Sequence, residues 1–415
     1  MRASDPAADP SFAAAEPSFA VIMREWGRIG CVGFGGPPAH IALFRELCVE
    51  RRRWLSSEQF ERAIAATNLL PGPASTQLAI YCAWRLRGAR GALLGGLCFI
   101  LPGLILMLAL SALFLSGSPP GWLRGAGVGA GAAVAAVAVR AGSGVAAPMW
   151  RNAGGDRRPW LLAYALAGAL AAALAGPWLV LVLLACGAAE LARRTAPAGV
   201  AGLHALAPGW WALAHGAAGL VSRPRTAWPL LAASADPGGT GALAWTAFKV
   251  GALSFGGGFV IVPLMQSDAV GTYHWMTHGQ FLNAVALGQV TPGPIVLTVA
   301  AVGYSAAGLP GGLLASAVAF APSFSFILFG GARFERLLVN ERVQAFLAGA
   351  APAAAGAIMG AAVPLTAALG ESWQYAVLAA SAVALILLRR AIVPTLLLAG
   401  CAGVAAALLG APIPH

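Results

Sequence analysis

The sequence predicts an all-α polytopic membrane protein built from two inverted-topology repeats, each with about five membrane crossings plus one re-entrant hairpin broken at a Pro-Gly-Pro. Three observations carry that expectation. First, 59% of the 415 residues are hydrophobic and only 10% charged, with a mean hydropathy of +0.76, which excludes an ordinary soluble globular domain. Second, Pro71-Gly72-Pro73 recurs 221 positions later as Pro292-Gly293-Pro294. Third, the basic residues, 25 Arg and the single Lys249, gather in short segments between apolar runs. That pattern encodes membrane orientation and argues against a nucleic-acid partner.

Residues 1–18 are acidic and Pro-rich and lack the charged-then-apolar order of a cleavable signal peptide. The first membrane repeat is expected over 19–195, with segments near 20–44, 92–115, 123–139, 160–175 and 177–190. Residues 196–243, rich in Pro, Gly and Trp, read as a cytoplasmic linker, with a short extra hairpin near 200–221 left open. The second repeat is expected over 244–415, with segments near 245–265, 312–330, 345–365, 373–388 and 392–410.

The repeat runs in one register from Gly30 to Leu93. Gly30, Phe34, Gly35 and Gly36 match Gly251, Phe255, Gly256 and Gly257; Trp54, Gln59 and Phe60 match Trp275, Gln280 and Phe281; Gly91 matches Gly312. A Pro-Gly-Pro stops one helix and lets another begin, because Pro lacks an N–H, restricts its predecessor and suits a first turn. The apolar arms around each copy are about 13 residues, roughly 20 Å as helix, too short to span the bilayer core but long enough to pass its middle.

Arg51-Arg52-Arg53 and Arg85, Arg87 and Arg90 flank the first hairpin, so both its ends are expected in the cytoplasm. No Lys or Arg stands between Met265 and Leu313, which puts both ends of the second hairpin outside. Counting from an external N-terminus, the Arg clusters at 140–158, 193–225, 333–342 and 389–390 then fall inside, and Arg124 does not. If segment 20–44 is itself re-entrant at Gly-Phe-Gly-Gly-Pro-Pro, residues 1–18 lie inside instead.

Non-helical backbone at membrane depth is tolerated only where protein buries it or it lines a wet cavity. The candidate substrate site is therefore the set of breaks: Phe34, Gly35, Gly36, Pro71, Gly72 and Pro73 in the first half, and Phe255, Gly256, Gly257, Pro292, Gly293 and Pro294 in the second. A helix restarting after a break offers free N–H groups and a positive dipole end to an anion. Ser75, Thr76 and Thr298 add hydroxyls in or near the restarted turns, and Asn68, Gln289 and Thr291 add polar contacts from the arms that end there. The hydroxyls could equally back-bond to their own helices.

Fixed charge would come from Arg28 and Lys249, which share a register position; intramembrane charge marks function by default, although both could snorkel to headgroups. Glu46 and Asp268 are the carboxylates best placed for proton coupling. Glu58, Glu61 and Arg62 read as an interfacial helix with pairs four residues apart. His274 and His278 lack a third ligand, so no metal site is expected, and six scattered Cys read as packed thiols. No nucleotide loop or catalytic triad appears, so neither an enzyme nor a cofactor is expected.

Gly33-Phe34-Gly35-Gly36-Pro37-Pro38-Ala39-His40-Ile41-Ala42-Leu43-Phe44, Arg51-Arg52-Arg53-Trp54-Leu55-Ser56 and Leu69-Leu70-Pro71-Gly72-Pro73-Ala74-Ser75-Thr76-Gln77-Leu78-Ala79 together resemble the chromate ion transporter family in its long two-repeat form. The resemblance recurs as Ser254-Phe255-Gly256-Gly257-Gly258 and Gln289-Val290-Thr291-Pro292-Gly293-Pro294. It implies efflux of chromate from the bacterial cytoplasm across the inner membrane, driven by the proton gradient. Sulfate or another oxyanion as the physiological substrate, a passive anion channel and a non-transporting scaffold stand as alternatives. Gly258 and Phe259 replace Pro37 and Pro38 in the second repeat, so unequal halves are expected. The small-residue run Gly125 to Gly131 permits close packing within or between subunits, which leaves a homodimer open.

Overall fold

The computed structural model describes residues 16–69, 72–115, 119–175, 179–195, 239–254, 260–330 and 340–413, and every regular element among them is a helix. The first half comprises α1 (Phe19–Val32), α2 (Pro37–Arg45) with a π-helical turn at Glu46–Arg51, α3 (Ser57–Leu69), α4 (Ala74–Phe114), α5 (Gly121–Ala132), α6 (Val134–Arg151), α7 (Arg158–Leu170) and α8 (Leu179–Thr195). The second comprises α9 (Thr240–Leu253), α10 (Ile261–Gln266) with a π-helical turn at Ser267–Thr272, α11 (His278–Val290), α12 (Thr298–Gly330), α13 (Glu341–Gly360), α14 (Ala362–Ala367), α15 (Ser372–Ala382) and α16 (Ile392–Leu408). The stretches Ala74–Phe114, Gly121–Arg151, Ile295–Gly330 and Glu341–Ala367 are long and apolar enough to cross a bilayer. Large apolar side chains are exposed on these stretches and on α7 and α16, as at Ile105, Phe329, Leu166 and Leu398, as lipid contact requires. The protein is a multi-pass integral membrane protein.

Backbone detail repeats between the halves. Each π-helical turn ends two residues before a non-glycine left-handed residue, Arg53 (φ 51°) and His274 (φ 52°). Trp54 N–H then donates to Cys48 C=O, and Trp275 N–H to Ala269 C=O, both at 2.8 Å. Further on, α4 breaks at Arg87 and Gly88 (φ 60°, ψ −154°) and α12 at Ala307 and Gly308 (φ 63°, ψ −155°). Gly88 and Gly308 are 220 positions apart, so the second copy is one residue shorter between its Pro-Gly-Pro and its break. A 3₁₀ turn at Ile295–Leu297, which takes three residues where an α-turn takes 3.6, lies within that interval. The structural counterpart of Gly91 is thus Gly311 rather than Gly312: a Cβ on either would meet the carbonyl of the arm before the break, Ala83 or Gly303, at 2.4 and 2.2 Å.

Those contacts also show that each break folds a short arm back antiparallel to a long one. The two long arms meet across the molecule, with Gly96 against the Phe324 ring and Gly312 against Leu108, so the start of each faces the end of the other and they too run antiparallel. The halves interlock elsewhere: α5 lies along α16, and α13 lies against α7 and α8. Gly125 and Gly129 press on Gly403 and the Ala399 carbonyl, and Gly349 on the Cys186 carbonyl. The small-residue run of α5 is therefore used within the chain.

Two expected segments need correction. Residues 20–44 do not run straight through. The chain turns at Gly33–Gly36, so that the Trp26 and Phe44 rings lie 5.4 Å apart and Glu25 bonds Arg51 and Arg52. The physical reason is local: Gly35 (φ 98°) and Gly36 (φ 73°) adopt backbone closed to other residues, and Pro37 starts α2 at once. The second-half segment 245–265 doubles back likewise, since Asp268 reaches Lys249 and Thr246. Residues 1–15, most of the 196–243 linker, Pro71, Phe255, Gly256 and Gly257 lie outside the described residues.

Candidate functional site between the backbone breaks

Each half presents a tip where a helix restarts. In the first, α3 ends at Leu69, Gly72 takes φ 130°, and Pro73 caps α4. In the second, α11 ends at Val290, Thr291 caps it, Gly293 takes φ 99°, and Pro294 precedes the 3₁₀ turn. The tips reach across to the opposite half. Gly293 N–H donates to Gly33 C=O at 3.0 Å, Gly36 lies against the Ile295 side chain, and a Cβ on Gly103 would sit 2.3 Å from Pro292 O. At the first tip, a Cβ on Gly72 would meet Gln77 and, at 3.1 Å, Ser323 Oγ. Gly103 and Ser323 are structural counterparts at the 220-residue offset.

The first tip is rich in buried hydroxyls. Ser75, Thr76 and Gln77 open α4 at this tip, Ser323 lies against its Gly72, and Ser254 holds the register position of Gly33, whose carbonyl bonds the second tip; all are at most 2% exposed. Thr76 Oγ1, Ser254 Oγ and Ser323 Oγ have no protein hydrogen-bond partner. Such groups normally find one, because burying a hydroxyl unpaired is costly. Thr298, by contrast, donates to Ile295 C=O at 2.8 Å and so back-bonds within its own helix. Gln289 and Thr291 are buried beside the second tip, with Gln289 Nε2 unpartnered. Phe34 is 45% exposed. Asn68 ends α3.

The charged residues separate into two clusters away from the tips. Lys249 Nζ is 2.5 Å from Asp268 Oδ2, which also accepts from Thr246 Oγ1 at 2.9 Å. In the first half, Glu25 accepts from Arg51 at 2.7 Å and Arg52 at 2.9 Å, with Arg28 at 3.5 Å and half exposed. Glu25 stands at the position equivalent to Thr246. The same place in each half thus holds an ion cluster of opposite polarity, with the acid on the first helix in one and on the π-helical turn in the other. Glu46 is exposed at the start of its turn and joins neither. Sequence reasoning singled out Lys249 and Asp268 without pairing them, and missed Glu25 and Ser323; the alternating charge of Glu25 with Arg51 and Arg52 offered the only signal.

Comparison with known proteins agrees with the architecture. A family model described as Chromate transporter matches residues 20–191 and 241–407. The chain belongs to the chromate transporter family. The Chromate transport protein of Cupriavidus metallidurans is 32% identical over 384 residues, 90% of this chain and 89% of that one. The Chromate transport protein of Pseudomonas aeruginosa is 33% identical over 350 residues, 82% and 79% of the two chains. No solved structure matches. Members of the chromate transporter family are transporters rather than enzymes, and both matched stretches of this one contain a Pro-Gly-Pro tip and its long helix.

Proposed function

We propose that this protein is a secondary transporter that exports chromate from the bacterial cytoplasm across the inner membrane, coupled to the proton gradient, with the anion held between the broken helices. The observation that carries this reading is the convergence of unpartnered buried hydroxyls on a helix restart. Buried hydroxyl and N–H donors around a helix restart, with a helix dipole behind them, suit a tetrahedral dianion. Family membership supports chromate as that anion, and sulfate has the same shape and charge.

The antiparallel long arms support inverted repeats, an arrangement that places a site at mid-membrane between discontinuous helices. With the fold-back at Gly33–Gly36, both ends of the α1–α2 hairpin and both ends of the α3–α4 hairpin share one side. Arg51, Arg52, Arg53, Arg85, Arg87 and Arg90 assign that side to the cytoplasm, which puts the start of α1 there too. Asp268 is the coupling carboxylate in this reading: a proton on it frees Lys249, and export follows from exchange of that proton for the anion.

The test is chromate flux in proteoliposomes under an imposed pH gradient. Uphill chromate movement driven by the gradient is expected. Flux that only dissipates a chromate gradient would leave a passive channel, and no flux of chromate or sulfate would remove the transport reading.

A further inference from the structure

We infer that each chain holds one anion, at the first Pro-Gly-Pro, and that the second Pro-Gly-Pro is a closed structural copy. This rests on the transport reading above and narrows it to one of two pseudo-equivalent tips.

The argument is a position-by-position comparison of the tips. Around the first stand Ser75, Thr76 and Ser323, and the repeat register assigns Ser254 there as the counterpart of Gly33, whose carbonyl meets the second tip. Their counterparts around the second are Val296, Leu297, Gly103 and Gly33. Every hydroxyl at the first tip is replaced by an apolar side chain or by none. The second tip also satisfies itself: Gly33 C=O accepts from Gly293 N–H at 3.0 Å and from His40 Nε2 at 2.9 Å, and Thr298 bonds back to Ile295. Gly103 is packed so tightly on Pro292 O that a methyl group would not fit. His40 Nε2 is thus spent on the Gly33 carbonyl and is not free for a ligand. Among the described residues, Gln289 Nε2 is the buried side-chain donor without a partner on this side.

The first tip has the opposite character. Three hydroxyls contributed by both halves are buried without protein partners, a cost that a bound oxyanion relieves by accepting from them. Thr76 comes from the first half and Ser254 and Ser323 from the second, so the anion bridges the halves. Movement of one half against the other then opens or closes its coordination.

The experiment is equilibrium binding of radiolabelled sulfate and of chromate to the detergent-purified full chain, with melting of the anion-free protein measured alongside. One equivalent per chain is expected. Thr76→Val, Ser254→Ala and Ser323→Ala should each weaken binding about tenfold, the scale of one hydrogen bond to a charged group. The same substitutions should leave the anion-free melting temperature unchanged or higher, because each removes an unsatisfied buried hydroxyl. A purely structural role for these residues predicts the reverse. Val296→Ala and Leu297→Val at the second tip should leave the affinity within about twofold. Two equivalents per chain, or wild-type affinity in Thr76→Val and Ser323→Ala with loss in Thr298→Val or Gln289→Leu, would overturn the inference alone. A wild-type protein that binds neither anion would overturn the transport reading with it.

Discussion

Lys249 and Asp268 form a 2.5 Å ion pair between α9 and the π-helical turn after α10, with side chains 18% and 6% exposed. A lysine so placed is not a free charge waiting for an anion, because its carboxylate partner already neutralises it. Removing either partner strands the other in a low-dielectric setting, which costs on the order of 3 kcal/mol. Lys249→Ala and Asp268→Asn should each lower the melting temperature and abolish proton-driven chromate uptake. The double variant should recover most of the stability and none of the transport. Wild-type transport in the double variant would remove the pair from the mechanism.

The Glu25 cluster should respond differently. Its carboxylate is shared by Arg51 and Arg52, so either arginine can be lost while the other remains. Arg51→Ala or Arg52→Ala alone should cost under about 1 kcal/mol, since both side chains are more than a third exposed. The double variant should cost more than the two singles together, because it leaves Glu25 with only Arg28. A double-mutant cycle on unfolding of the purified protein reads that coupling directly, and strict additivity would show that the cluster does not strap α1 to the turn after α2.

These two clusters mark where sequence reasoning stopped. The breaks were legible because Pro and Gly act locally: the Pro-Gly-Pro tips and Phe34-Gly35-Gly36 declare themselves without tertiary context. Pairing was not. The phase of Asp268 is set by a π-helical turn whose extra residue has no composition signature, and Ser323 meets Gly72 from 251 positions away. The fold-back of 20–44 stood as an alternative at Gly-Phe-Gly-Gly-Pro-Pro and was not decided, because hydropathy is continuous on both sides of the turn. The one-residue slip of the second repeat was hidden because Gly311 and Gly312 are both glycine, so Gly91 can be aligned with either.

Close packing of α9 on the long arm of α12 gives a stability prediction. A Cβ on Gly251 would lie 1.9 Å from the Ala319 carbonyl oxygen, whereas one on Gly88 would meet nothing within 4 Å. Gly251→Ala must therefore push two helices apart and should cost about 3 kcal/mol or prevent stable insertion. Gly88→Ala meets only the backbone penalty of φ 60°, ψ −154°, a region kept almost entirely for glycine, about 2 kcal/mol. Melting of the two purified variants should separate clearly, and equal losses would contradict the packing.

The sidedness of the two breaks provides the sharpest test of the fold as a transporter. Arg87 and Ala307 occupy equivalent turns, yet Gly312 faces Leu108, far along the opposite long arm from Arg87. The two turns should therefore emerge on opposite membrane faces, Arg87 in the cytoplasm and Ala307 outside. On a cysteine-free background, Ala307→Cys should react with an impermeant maleimide added to intact cells. Arg87→Cys should react only after the membrane is opened. Labelling of both break positions from one side would mean that the halves are parallel rather than inverted, and the mid-membrane site between their tips would have to be abandoned.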